Sequence, residues 1–282
     1  MKRILIALVL VPSLLFMGSC KKEESSNNNS NNPTNTTPST PEGMIKIGET
    51  YIVGAKAKAY VYAKQALFVG YNTLYIALYD STDGSRLTDG HFSASALMDM
   101  GMMTHTCPTE ENEEIDSTTN LYSSSFVFIM PSAVGSTWTL TLGYHNHKID
   151  MEGEGALEIN VVEPTPAKML SSLLAADSNA KVFVSFTLPN PGKTGFNDAE
   201  FTLHKMASST SFPAIENYTI EMIPTMPSMG HGSPNNVNPV HVANGHYKGK
   251  LNFTMTGLWQ VQLKLYKNGT LLTDKLVFEI TI

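Results

Sequence analysis

The chain has 282 residues, with 25 acidic side chains against 19 basic ones and a formal charge of −6. That balance, with no basic cluster, argues against nucleic acid as a partner. Beyond residue 20 no apolar run is long enough to span a bilayer.

The chain opens with MKRILIALVLVPSLLFMGSC. Lys2 and Arg3 form a charged region, Ile4 to Met17 an apolar one, and Gly18 and Ser19 precede Cys20. This is the pattern of a secretory signal over residues 1–19. The small-small-Cys ending resembles the bacterial lipobox, in which the cysteine is acylated, although Met17 stands where leucine is more usual. Residues 20–43, beginning KKEESSNNNSNN after the cysteine, carry nothing that could anchor a core and read as a disordered tether. The charged run Lys21 to Glu24 resembles the surface-export signal of some lipoproteins. The expected location is therefore extracytoplasmic, on the outer membrane through a lipid anchor, with exposure at the cell surface if that signal operates. Of the 2 cysteines, Cys107 then has no partner for a disulfide.

From residue 44 the chain repeats itself. GYNTLYIALY from Gly70 recurs as GFNDAEFTLH from Gly195, and LYSSSFVFIM from Leu121 recurs as HYKGKLNFTM from His246, each 125 residues later. WTLTLGY from Trp138 recurs as WQVQLKLY from Trp259 after 121 residues, so the first copy holds extra residues around PSAVGS. Two homologous modules follow, 44–164 and 165–282. Trp138, Leu140 and Leu142 alternate with polar residues, as do Trp259, Val261, Leu263 and Leu265, which is the period of a half-buried strand. KVFVSFTL at 181–188, NYTIEM at 217–222 and KLVFEITI at 275–282 are further strands, and only Leu170 to Ala176 suits a helical turn. Short strands between turn residues predict an all-β fold of two tandem immunoglobulin-like sandwiches.

The repeat extends to an unusual stretch. MGMMTHTCP from Met100 and MPSMGHGSP from Met226 both read Met-x-x-Met-x-His-x-x-Pro. Pro224, Pro227, Pro234, Gly230 and Gly232 break regular structure, so these residues are expected on loops that bury little. Thioether sulfur is soft, stays unprotonated at neutral pH and suits monovalent copper better than Mg²⁺ or Ca²⁺, while imidazole also accepts Cu(II). Met100, Met103 and His105 form one candidate copper site, and Met226, Met229 and His231 the other. Further ligand candidates are Met98, Met130, Cys107 and His91 in the first module, and Met222, Met255, His241 and His246 in the second. The competing reading is packing, because methionine fills core gaps; Met130 and Met255, on apolar strands, suit the core better. Trp138 and Trp259 read as core anchors. The acidic run Glu110 to Asp116 has no counterpart in NNVNPVHVAN and reads as a solvated loop. His145 and His147 share a spacing that suits a metal but sit near a turn. No catalytic motif is present and no acid–base pair stands out, so catalysis has no support.

MPSMGHGSP followed by HYKGKLNFTMTGLWQVQLKLYKNG resembles the YtkA-like domains, related to the FixH-like group. The resemblance covers the second module; the first lacks the glycine near Tyr122 and carries the insertion. It implies small extracytoplasmic β-sandwiches associated with copper handling or oxidase maturation. That implication falls on Met226, Met229 and His231, and on Met100, Met103 and His105 through the repeat. The expected function is a lipid-anchored protein that binds copper, mainly Cu(I), for delivery, buffering or resistance, with a copper-donor or acceptor protein as partner. The alternatives are a structural or adhesive surface protein that binds a protein or glycan, and an accessory subunit of a metal-efflux or oxidase-assembly system.

Overall fold

The fold is that of a computed structural model, which describes residues 38–282. The expected signal, Cys20 and most of the expected tether lie outside the described residues. The regular structure that follows is antiparallel strand apart from one 3₁₀ turn, and no helix among the described residues is long and apolar enough to cross a membrane.

In chain order the first module contains β1 (Ile45–Ile52), β2 (Ala57–Ala63), β3 (Gly70–Asp80), β4 (Arg86–Leu87), β5 (Gly90–Asp99), β6 (Thr104–Thr106), β7 (Thr109–Asp116), β8 (Leu121–Phe128), β9 (Trp138–Asn146) and β10 (Met151–Ile159). The second contains β11 (Met169–Leu174), a 3₁₀ turn (Ala175–Asp177), β12 (Ala180–Thr187), β13 (Gly195–Lys205), β14 (Thr219–Met226), β15 (His231–Gly232), β16 (Val237–Ala243), β17 (His246–Phe253), β18 (Leu258–Lys267) and β19 (Thr270–Thr281). One sheet of the first module runs β1-β2-β3-β8-β7 and the other β10-β9-β5-β6; the second module repeats this as β11-β12-β13-β17-β16 and β15-β14-β18-β19. Setting aside the added first strand of each, these are the A-B-E-D and C′-C-F-G sheets of an immunoglobulin sandwich. The strand order itself therefore establishes the predicted fold.

The repeat reaches individual hydrogen bonds. Asn72 donates to the carbonyls of Phe68 and Gly70, and Asn197 to those of Lys193 and Gly195. The Trp138 indole N–H donates to the Met130 carbonyl at 3.0 Å, and that of Trp259 to the Met255 carbonyl at 3.1 Å. Both indoles are fully buried, as their anchoring role requires. The extra residues of the first copy form a tight turn closed by Ala133 and Ser136 on the connection before β9.

Two expectations change. Leu170–Leu174 is strand β11, paired with β12, and helical geometry is confined to the short turn after it. A segment this short cannot sustain a helix alone, whereas the edge of β12 offers it backbone partners. Pro224 does not end β14. It pairs with Val261 on one side, while β15 reaches only Thr225 and Met226, so the missing N–H of proline faces an unpaired edge. The apolar cores are largely separate, one per sandwich, but Met169, Phe183 and Phe212 of the second module pack into the core of the first.

Candidate metal-binding hairpins

Each Met/His stretch folds as the β-hairpin that joins the C and C′ strands. In the second module, Met226 pairs with His231 across four turn residues. The Met229 and Gly230 N–H groups both donate to the Met226 carbonyl, at 3.1 and 3.0 Å. Pro227 presets the first turn residue, and Gly230 takes the left-handed conformation, φ +64°, that closes the loop. In the first module, Met98 pairs with His105 and Asp99 with Thr104, so the strands run one pair further before a turn of four residues, in which Gly101 takes the left-handed conformation at φ +79°. Asp99 accepts from the Gly101 N–H at 2.7 Å and steadies that turn.

This register corrects the alignment of the two motifs. Met98 pairs with Trp138 across β5 and β9, and Met226 lies at the corresponding end of β14. Met98, not Met100, is therefore the counterpart of Met226, and the first hairpin holds two residues more. The alignment of Met103 with Met229 and of His105 with His231 stands.

The methionines divide into two groups. Met226, Met222 and Met98 point inward and are 2%, 4% and 1% exposed, so the loop expectation fails for Met226. Strand alternation turns these side chains into the core. A Cβ on Gly257 would lie 3.0 Å from the Met226 methyl, which shows how tightly that methionine is packed. Met100, Met103 and Met229 lie on the turns and are 45%, 55% and 61% exposed. Beside them stand the half-buried histidines. His105 Nε2 lies 3.1 Å from Met103 Sδ, and the His231 ring meets the edge of Trp259 at 6.1 Å between centroids. His105 Nδ1 is buried without a partner. With bonds of about 2.0 Å to nitrogen and 2.3 Å to sulfur, as at zinc, a 3.1 Å separation subtends roughly 90° at a shared ion. The first hairpin thus presents one nitrogen and one sulfur at a workable bite, with Met100 on the same turn.

The other candidates lie elsewhere. Cys107 is buried in the core of the first sandwich, and burial pushes its thiol well above the ordinary range, so it offers no thiolate. His246 has both ring nitrogens engaged, Nε2 with Glu110 and Nδ1 with Glu200, each at 2.6 Å. Those hydrogen bonds, first to Glu110 and then to Glu200, raise its pKa to about 9, which makes it a bridging cation and not a ligand. Glu110, expected in a solvated loop, is on β7 and joins this cluster with the Tyr71 hydroxyl at 3.0 Å. Among the described residues no group of three or more His, Cys, Asp or Glu side chains is drawn together as a ready-made ion site. Any site on the hairpins relies on thioether sulfur.

Residues 180–264, from β12 into β18, match the family model described as YtkA-like. The resemblance expected of the second module is borne out. No curated protein sequence matches the chain. Among solved structures, the chain is similar to FdeC, an Escherichia coli adhesin, at 16% identity over 80% of this chain and 64% of that one, with a TM-score of 0.26. It is also similar to the Yersinia pseudotuberculosis adhesin InvE, at 9% identity over 85% of this chain and 58% of that one, TM-score 0.26. Domains 5–6 of the S-layer protein SbsC share 11% identity over 84% of this chain and 97% of that one, TM-score 0.28. The chain spans less than two thirds of either adhesin structure, and likeness at this level does not bear on activity.

Proposed function

We propose that the protein is an exported lipoprotein that binds Cu(I) at its C–C′ hairpins, through Met103 and His105, with Met100 beside them, and through Met229 and His231. Its role is delivery, buffering or resistance, in exchange with a copper-carrying protein. The carrying observation is the 3.1 Å approach of His105 Nε2 to Met103 Sδ on an exposed turn. Thioether and imidazole together prefer Cu(I) and tolerate Cu(II). Met226 and Met98 act beneath the turns as packing that holds their shape, and Cys107 and His246 take no part. An adhesive role would call for an exposed aromatic patch; among the described residues the most exposed aromatics are Tyr51 and Phe196, on β1 and β13 of different sandwiches.

The test is competition for Cu(I) between the full chain and a chelator of micromolar affinity. Combined substitution of Met103, Met229 by Leu and of His105, His231 by Gln should abolish retention and leave the circular dichroism unchanged. Failure of the unsubstituted chain to retain Cu(I) refutes the reading. The anchor has its own test: Cys20→Ala should move the protein from the membrane to the soluble fraction.

A further inference from the structure

A second set of imidazoles stands at the opposite end of the first sandwich. His91, at the start of β5, pairs directly with His145, near the end of β9. His147 follows two residues on, in the turn to β10. The ring centroids are 4.8 Å apart for His91 and His147, 5.1 Å for His145 and His147, and 6.3 Å for His91 and His145. A metal about 2.0 Å from a ring nitrogen lies roughly 3.2 Å from the ring centre, so a tetrahedral set separates centroids by about 5 Å. His147 already holds that spacing to both His91 and His145, and the His91–His145 pair stands wider.

Their hydrogen bonds supply an independent observation. His147 Nδ1 is 2.8 Å from Asp89 Oδ1, and His145 Nε2 is 3.1 Å from Asp150 Oδ1. With those N–H groups donated to carboxylates, His147 keeps Nε2 and His145 keeps Nδ1 as a free lone pair. Carboxylate-held histidine is how proteins orient imidazole toward a metal. The backbone beneath is fixed, because the buried Asn146 donates to the Ala55 carbonyl and accepts from the Lys148 N–H. Lys148, the cation nearest in sequence, is occupied by Asp80 and Asp83, while Glu152 and Glu154 border the groove beside His91 and His145. The free nitrogens do not yet meet at one point. His91 is exposed and the His145 and His147 side chains are 37% and 35% exposed, so closure needs only side-chain rotation, a fast motion.

We propose that His91, His145 and His147 form a binding site for a divalent cation of borderline hardness, Zn(II) or Cu(II), with Asp89 and Asp150 as positioning residues. The site is independent of the hairpins: it uses nitrogen alone, which suits divalent ions, where the hairpins use sulfur.

Zn(II) is the discriminating probe, because thioethers bind it weakly. Calorimetric titration of Zn(II) into the full chain near neutral pH should show one equivalent of micromolar affinity or tighter. The pair His145→Gln and His147→Gln should remove it, and Asp89→Asn should weaken it by about ten-fold. The hairpin variant described above should keep it in full. Co(II) bound in place of zinc should give the strong visible bands of a tetrahedral nitrogen site, absent from the double variant. Absence of a Zn(II) equivalent overturns the proposal. So does an equivalent that survives the double substitution, or one that the hairpin variant alone removes. The variants change surface side chains, and unchanged thermal melts exclude misfolding as the cause.

Discussion

Met226 and Met229 stand three positions apart in opposite environments. The first is 2% exposed against Gly257 and the core, the second 61% exposed on the turn. Met226→Ala should therefore cost about 2–5 kcal/mol, the usual range for emptying a core methionine, and Met229→Ala should stay within about 0.5 kcal/mol. Urea denaturation of both variants checks the contrast; equal midpoints would place both side chains in one environment. At this scale the sequence told which residues are soft ligands but not which of them face the core. Parity along a strand decides that, and Pro224 and Pro227 hid the fact that Met222, Pro224 and Met226 belong to one face of β14. Asp89 and Asp150 were also missed as partners of His147 and His145, since such contacts depend on how the turn after β9 closes.

The hairpin is the element in which local rules and chemistry meet. Gly230 lies at φ +64° with open space where a side chain would go, so Gly230→Ala meets backbone strain without a clash. That substitution should cost about 1–2 kcal/mol and loosen the turn that carries Met229 and His231. A variant with unchanged stability by thermal melting would contradict the left-handed closure. Most strands were legible from period-two alternation, and the repeat placed them in both modules. The misreading of Leu170–Leu174 has a physical origin: a short apolar run reads alike as helix or strand, and the open edge of β12 decided it. The two-residue difference between the hairpins was obscured by the methionines around Gly101, which allowed Met100 to stand in for Met98.

At the scale of the molecule, the sandwiches are joined by packing and by charge. Met169, Phe183 and Phe212 complete the first core from the second module, and the Thr106 N–H donates to the Ser209 carbonyl at 3.0 Å. Calorimetry should therefore show one cooperative unfolding transition; two resolved transitions would mean that the shared packing is weak. The Glu110–His246–Glu200 cluster adds a pH dependence. The pKa of His246 is raised from 6.5 to about 9, so its stabilisation, on the order of 3 kcal/mol, is complete below pH 6.5 and is lost as pH rises through 9. Burial lowers the pKa of His204 from 6.5 to about 4, so its contribution is present above pH 6.5 and is lost as pH falls toward 4. Stability should peak near pH 6.5 and decline on both sides. His246→Gln should flatten the alkaline limb between pH 6.5 and 9, as read by chemical denaturation across pH. No sequence pattern announced this junction, because it joins residues 110, 200 and 246 from two modules.

The burial of Cys107 shifts the moment at which the chain is vulnerable. Once folded, the thiol is shielded and held protonated, so it neither exchanges with other thiols nor oxidises readily. Before the first sandwich closes around it, the same thiol is open to oxidants and to passing metal. Protection is therefore kinetic: it depends on how fast the first sandwich closes compared with how fast the unfolded chain meets an oxidant or a neighbour's thiol. Replacing Cys107 by a small apolar residue should change little in the folded protein and should raise the yield of monomer recovered on refolding in an oxidising buffer.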